Sequence, residues 1–257
     1  MLQNNNVEPN WLRWFPPKLR NKLVGRQHLY AVIANSGWLL FDKMVRLLLG
    51  LAVSAWVARY LGPTQFGQLA YILAYIAFFQ AIATLGADGI IVRDIARKPE
   101  DAARILGTAI VFRGLTGVFC WVIAILGIAI FSNGDSKQII MTAIVGGILV
   151  FQAVDTIDLW FQSQSQSRRT VVAKLVAYIL SNSIKVILII SKAPLVAFAI
   201  VMLIDAITAA IGLCIAYQYF PTQERWHSIR QQGIQLIRES WPFMLSGLSV
   251  MIYMRID

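Results

Sequence analysis

Charge is the scarcest commodity in this sequence: only 14% of its 257 residues are charged, against ~25% in an ordinary soluble domain. Acidic residues are scarcer still, 13 against 23 Lys and Arg, and there are two histidines and two cysteines. With 58% hydrophobic residues and a mean hydropathy of +0.63, the shortage of charge excludes a soluble globular chain and a disordered one. Seventeen glycines without a period exclude collagen. Two cysteines, Cys120 and Cys214, each inside an apolar run, exclude a disulfide-stapled secreted scaffold and read as small buried hydrophobes. An integral membrane protein is what is left.

Enzyme chemistry has little to stand on. There is no glycine-rich phosphate loop and no metal-ligand cluster, and His28 and His227 both fall outside the apolar runs. Asp155 and Asp158 at i, i+3 are the one pair with metal-like spacing, and neither a His nor a third carboxylate accompanies them. No cofactor is expected. Short loops on one side leave no room for a catalytic domain. The net charge of +10 does not indicate nucleic acid, because the bases punctuate apolar runs instead of clustering on a soluble face.

A membrane-spanning helix takes ~20 mostly apolar residues to cross ~30 Å of hydrocarbon. Six runs of that length are expected to be complete spans, near 31–57, 68–92, 105–131, 138–161, 171–191 and 194–217. A seventh opens near Ser240 and is cut at Asp257, so the chain reads as a fragment of a longer protein or a truncated product. The fold class is therefore an all-α polytopic transmembrane bundle. It divides into a basic, aromatic tail (1–30), a six-helix lobe (31–217), a linker (218–239) and the truncated span (240–257). In the tail, Trp11, Trp14 and Phe15 alternate with Arg13 and Lys18 in a composition suited to the headgroup layer. In the linker, Trp226, Ile229, Gly233, Leu236 and Ile237 repeat with helical spacing, which predicts an amphipathic helix lying on the membrane surface.

Orientation follows from the basic residues between spans, because short cytoplasmic loops carry the excess. The tail and the loops after spans two, four and six hold fifteen Lys and Arg, whereas the opposite loops hold only Arg59, Lys137 and Lys192. The N-terminus is thus expected in the cytoplasm, and the surplus positive charge is topology. No cleavable signal peptide is expected in the polar first thirty residues.

Charges within the bilayer are expensive, so those retained usually face a protein interior or a water-filled path. Every span retains polar groups at helical spacing. Span one has Asp42, Lys43 and Arg46; span two Gln80, Thr84 and Asp88; span three Arg113, Thr116, Gly117 and Cys120; span four Gln152, Asp155 and Asp158; span six Asp205, Thr208 and Gly212. Span five aligns Lys174, Tyr178, Ser181, Asn182 and Lys185. Lipid would reject these stripes, which predicts a shared polar cavity. Arg46, Arg113 and Lys185, with Tyr178 and Asn182 beside them, make that cavity attractive to a phosphate or carboxylate, and Asp42, Asp155 and Asp205 leave coupling to H⁺ or Na⁺ open. The structural alternatives are that Asp42 and Arg46 neutralise each other at i, i+4, and that Asp88 and Asp158 snorkel or cap at the ends of their spans.

The stretch Trp56-Val57-Ala58-Arg59-Tyr60-Leu61-Gly62-Pro63, then Gln65-Phe66-Gly67, Leu85-Gly86-Ala87-Asp88 and Arg93, closely resembles the N-terminal signature of bacterial polysaccharide flippases. These are the O-antigen and exopolysaccharide repeat-unit transporters of the multidrug/oligosaccharidyl-lipid/polysaccharide exporter superfamily. Within the motif, Gly62 and Pro63 are expected to force a tight exit from span one, and Gly67 to permit entry into span two. The resemblance implies alternating-access transport of an undecaprenyl-pyrophosphate-linked oligosaccharide across the plasma membrane. It further implies two six-helix lobes around a cationic cavity, twelve or more spans in all, and polysaccharide polymerase machinery as possible neighbours in the same membrane. A drug or metabolite/cation antiporter of the same superfamily would lean on the aspartates instead. A membrane glycosyltransferase or ligase and a non-transporting scaffold are the readings of other classes.

Overall fold

A computed structural model describes residues 27–132, 134–222 and 225–253. The expected interfacial tail, Arg255 and Asp257 lie outside them. The described residues are helical, without a strand, and five helical stretches are long and apolar enough to cross a membrane. The first of these is folded on itself, so the chain can make six passes. Outward faces carry Leu48, Phe119 and Ile187, each 60% exposed or more. Such a continuous apolar exterior is stable in lipid and a liability in water. This is a multi-pass membrane protein.

Helix α1 (Gln27–Ala83) contains two arms joined at Gly62, whose φ of 71° and ψ of 172° are open only to glycine. Pro63 follows as the first residue of the second arm, where a missing N–H breaks no helical bond. The arms pack together, Val53, Val57 and Leu61 of the first joining Leu69, Ile72 and Ile76 of the second in one core with Ala124, Leu149 and Phe198. The turn expected over 61–67 is thus made by Gly62 alone. Gly67 lies inside the second arm with open space where a Cβ would go.

The second pass ends earlier than expected. Leu85 and Gly86 both take positive φ, 58° and 60°, and break the helix at Ala83 before α2 (Asp88–Arg97) begins. A Cβ on Gly86 would sit 2.6 Å from the backbone nitrogen of Met244. Gly86→Ala is therefore expected to cost about 1–3 kcal/mol, since both the dihedral and the neighbouring backbone resist it. Gly67→Ala should be neutral or stabilise by up to about 1 kcal/mol. Thermal melting of the two variants in detergent checks the contrast.

A single-turn 3-10 helix (Pro99–Asp101) leads into α3 (Ala102–Phe131), which runs unbroken through the expected third span. Span four, expected as one helix, is broken into α4 (Ser136–Gly146), the short α5 (Ile148–Phe151), a 3-10 turn (Gln152–Asp155) and α6 (Thr156–Ser163). The cause is local. The Trp121 indole of α3 donates to the Ala143 carbonyl at 2.9 Å, the acceptor that Gly147 N reaches at only 3.3 Å while also reaching Ile144 O at 3.2 Å. The helical ladder slips there from i−4 to i−3, with Gly146 and Gly147 absorbing the change. Spans five and six are α7 (Arg168–Ile190) and α8 (Leu195–Tyr219), close to expectation.

The linker differs most. Residues 225–229 are not helical, and α9 (Arg230–Tyr253) continues without interruption through Pro242 into the expected seventh span. Trp226 and Ile229 therefore precede the helix. Trp226 packs on the Tyr217 ring at 4.9 Å, and Ile229 N donates to Thr108 Oγ1 at 3.1 Å. The helical repeat is real from Gly233 onward, where Gly233 lies against Phe112 of α3. Among the described residues, α9 is not one of the helices apolar enough to span.

These contacts define two ends of the bundle. At one, Ser167 N donates to Asn35 Oδ1 at 2.7 Å, Arg168 lies over Trp38 and Arg169 over Phe220. At the other, Tyr60 donates to the Ala193 carbonyl at 2.9 Å. Most of the basic residues between passes, including Arg93, Arg97, Arg168 and Arg169, belong to segments meeting at the first end.

Candidate functional site

Two cavities lie within the bundle. The larger, about 340 Å³, is lined by Asp42, Arg46 and Gln80 of α1, Gln152 and Asp155 of the 3-10 turn, Lys174 of α7 and Asp205 of α8. The smaller, about 140 Å³, lies between the two arms of α1 and is lined by Gly50, Tyr178, Asn182, Lys185 and Phe198 among others. Met202 borders both.

Gln152 and Asp155 reach the larger cavity from the 3-10 turn of the fourth pass, where residues three apart share a face. Asp155 lies 2.7 Å from Lys174 Nζ, and Asp158 Oδ2 accepts from the same nitrogen at 2.9 Å and from Gln162 at 3.2 Å. Lys174 thus ties the fourth pass to the fifth. Asp158, expected to snorkel or cap, is instead a paired group, and the metal-like spacing of Asp155 and Asp158 is bridged by an ammonium. Across the cavity Arg46 Nε donates to Asp42 Oδ1 at 2.8 Å, as the i, i+4 spacing predicts, and its guanidinium stacks 4.8 Å from the Tyr178 ring centre. Tyr178 returns its hydroxyl to the Arg46 carbonyl at 3.0 Å, and Asn182 donates to the Tyr178 carbonyl at 2.8 Å. A cation, its carboxylate and an aromatic face are in this way locked as one unit. The Asp205 carboxylate makes no hydrogen bond or ion pair among the described residues, but Lys185 and Arg46 are within electrostatic reach.

The eight residues predicted from sequence therefore separate into three groups. Asp42, Arg46, Asp155 and Asp205 share the larger cavity, and Tyr178, Asn182 and Lys185 share the smaller. Arg113 reaches neither. Buried to 3% exposure on α3, it pairs with Asp88 and donates to the Thr84 carbonyl at 3.2 Å, which pins the positive-φ turn between α1 and α2. The lining charge is accordingly mixed, three carboxylates facing Arg46 and Lys174, and Lys185 beyond Met202 brings the balance to neutral. Lys174, Gln80 and Gln152, named from sequence as members of the polar stripes but not among the candidate site residues, complete the cavity. Their signal was the helical stripe each belongs to, and for Lys174 the pair of aspartates in the preceding span.

No curated protein and no solved structure matches the chain. The model of a family described as polysaccharide biosynthesis protein matches residues 32–257, from the first pass to the last residue, and the chain belongs to that family.

Proposed function

We propose that this protein forms the N-terminal lobe of a flippase that carries an undecaprenyl-pyrophosphate-linked oligosaccharide from the cytoplasmic to the outer leaflet of a bacterial plasma membrane by alternating access. The observation that carries the reading is a cavity lined by charged and polar side chains between lipid-facing helices in a member of a polysaccharide biosynthesis family. Arg46, held against Asp42 and Tyr178, would meet the pyrophosphate, a bidentate site for a planar guanidinium. Tyr178, Asn182, Gln80 and Gln152 offer the hydrogen bonds that sugar hydroxyls use. The basic end, holding Arg93, Arg97, Arg168 and Arg169, faces the cytoplasm in this reading. The chemistry is transport, without a bond made or broken.

Asp205 favours coupling to H⁺ or Na⁺, because among the described residues it is the cavity carboxylate that no ammonium or guanidinium clamps directly. The test is complementation of a flippase-deficient bacterium with this chain, alone and with any adjoining coding sequence, scored by surface polysaccharide. Arg46→Gln is expected to lower surface polysaccharide about ten- to a hundredfold, the value of one lost charge-assisted contact, at unchanged membrane insertion. Asp205→Asn is expected to remove the response of flipping to an imposed H⁺ or Na⁺ gradient in proteoliposomes. Full activity of Arg46→Gln with loss confined to Asp205→Asn would move the assignment to a cation antiporter of the same superfamily.

A further inference from the structure

The smaller cavity differs in kind from the larger one. Val53 and Val57 of the first arm of α1, Leu69 and Leu73 of the second and Phe198 of α8 wall it with hydrocarbon, and Lys185 is the one charged group lining it among the described residues. The lining residues share a face on each helix, Val53 and Val57, Leu69 and Leu73, and Tyr178 and Asn182 each standing four apart, with Lys185 three beyond Asn182. Among the described residues the Lys185 ammonium makes no hydrogen bond or ion pair, and Asp205, beyond Met202, acts on it only at a distance. Asn182 is 5% exposed and gives its amide nitrogen to the Tyr178 carbonyl at 2.8 Å, while its oxygen accepts from no described residue. Neither the ammonium nor that oxygen is sealed off from its surroundings. Both residues line the slot, so their unused hydrogen-bonding capacity is open to whatever fills it.

An unpaired ammonium in a largely apolar slot is a costly arrangement that an anion relieves. Size supplies the next constraint. A cavity of about 140 Å³ is close to the ~150 Å³ apolar cavity that takes up benzene, so it admits a group of about five or six carbons. Anything longer must leave through the mouth. Ser54 and Ala70, one on each arm of α1, line the slot and are exposed, so it opens sideways between the arms. Leu51 and Leu47, three and seven residues before Ser54 on the same flank, are also exposed and extend the rim as hydrocarbon. The complementary ligand is therefore an anion joined to a compact apolar group, with a further chain leading out along that rim.

We propose that the smaller cavity is a subsite for the phosphate and first isoprene unit of a polyprenyl carrier lipid, with Lys185 taking the phosphate next to the isoprenoid and Arg46 the one that bears the sugar. The identity of the lipid rests on the flippase reading above; the chemistry of the slot does not. With one ammonium proton left to the Asn182 oxygen a turn away, two remain for phosphate oxygens. The test uses dimethylallyl phosphate, a single water-soluble isoprene phosphate, titrated onto the protein in detergent and followed by saturation-transfer NMR. It is expected to bind about tenfold or more tightly than either inorganic phosphate or dimethylallyl alcohol. Lys185→Gln should lower its affinity about tenfold, and Arg46→Gln by less. Ser54→Phe, at an exposed position, closes the mouth and should abolish binding at an unchanged melting temperature. Three results overturn the proposal: inorganic phosphate binding equally well, hexanoate binding equally well, or unchanged binding in both Lys185→Gln and Ser54→Phe. Failure of dimethylallyl phosphate to bind a protein that still restores surface polysaccharide likewise overturns the subsite and leaves the flippase reading intact. Binding through Lys185 in a protein that never restores it keeps the prenyl phosphate site and removes the flippase reading instead.

Discussion

Asp88→Asn is expected to destabilise the protein by about 3 kcal/mol, and Arg113→Met by less than half of that. The asymmetry comes from burial. The Arg113 side chain is 4% exposed and that of Asp88 60%, so removing the carboxylate strands a cation inside the bundle, while removing the guanidinium leaves a carboxylate that polar surroundings can still reach. The Arg113 variant also frees the Thr84 carbonyl, and with it one tie on a turn held at two successive positive φ angles. Replacing both residues, as Asp88→Asn/Arg113→Met, should recover most of the loss, because an ion pair exchanged whole for less polar groups is often neutral. Unfolding in detergent followed by circular dichroism checks all three. A substrate-binding Arg113 would behave otherwise: Arg113→Met would melt like the parent and lose transport, and the double variant would restore nothing.

That distinction shows where the sequence stops being informative. Length and polarity of the apolar runs were enough for an all-α polytopic bundle, because a bilayer imposes a ~20-residue element that few other environments demand. The fold-back at Gly62-Pro63 was legible too, each residue announcing a dihedral. The break at 84–87 was not, since Leu85 carries no mark of a left-handed conformation and takes it only with α9 packed over Gly86. Nor was the division of span four, which depends on an indole from another helix competing for the Ala143 carbonyl. Local pattern reports intrinsic preference; these two breaks are imposed by tertiary neighbours.

Charges show the same limit. Arg46 and Asp42 are i, i+4 on one helix, and their pairing could be read directly. Arg113 and Lys174 looked unattached or peripheral because their partners lie 25, 19 and 16 positions away on other passes. Counting cations by span therefore predicts a positive cavity, whereas pairing across passes makes it mixed. In the flippase reading proposed above a mixed cavity would be an advantage: an anionic head group bound against fixed, unopposed cations would be held too tightly to leave, whereas Asp42, Asp155 and Asp205 would compete with it for Arg46, Lys174 and Lys185.

Lys174→Met tests that competition most severely. The substitution leaves Asp155 and Asp158 facing one space without their cation, and Asp158 Oδ1 is already buried without a donor. The expected loss is about 3–5 kcal/mol of stability, together with loss of surface polysaccharide in the complementation assay. Lys174→Arg should keep most of the stability, since a guanidinium can serve two carboxylates at once. Neutralising all three groups, as Asp155→Asn/Asp158→Asn/Lys174→Met, should return the melting temperature toward that of the parent and leave transport absent. Structural repair without functional repair is the signature of a charge that the substrate must displace as the fourth and fifth passes separate. If the triple variant transports normally, the triad serves only to hold the helices together, and the proposed substrate contact rests on Arg46 alone.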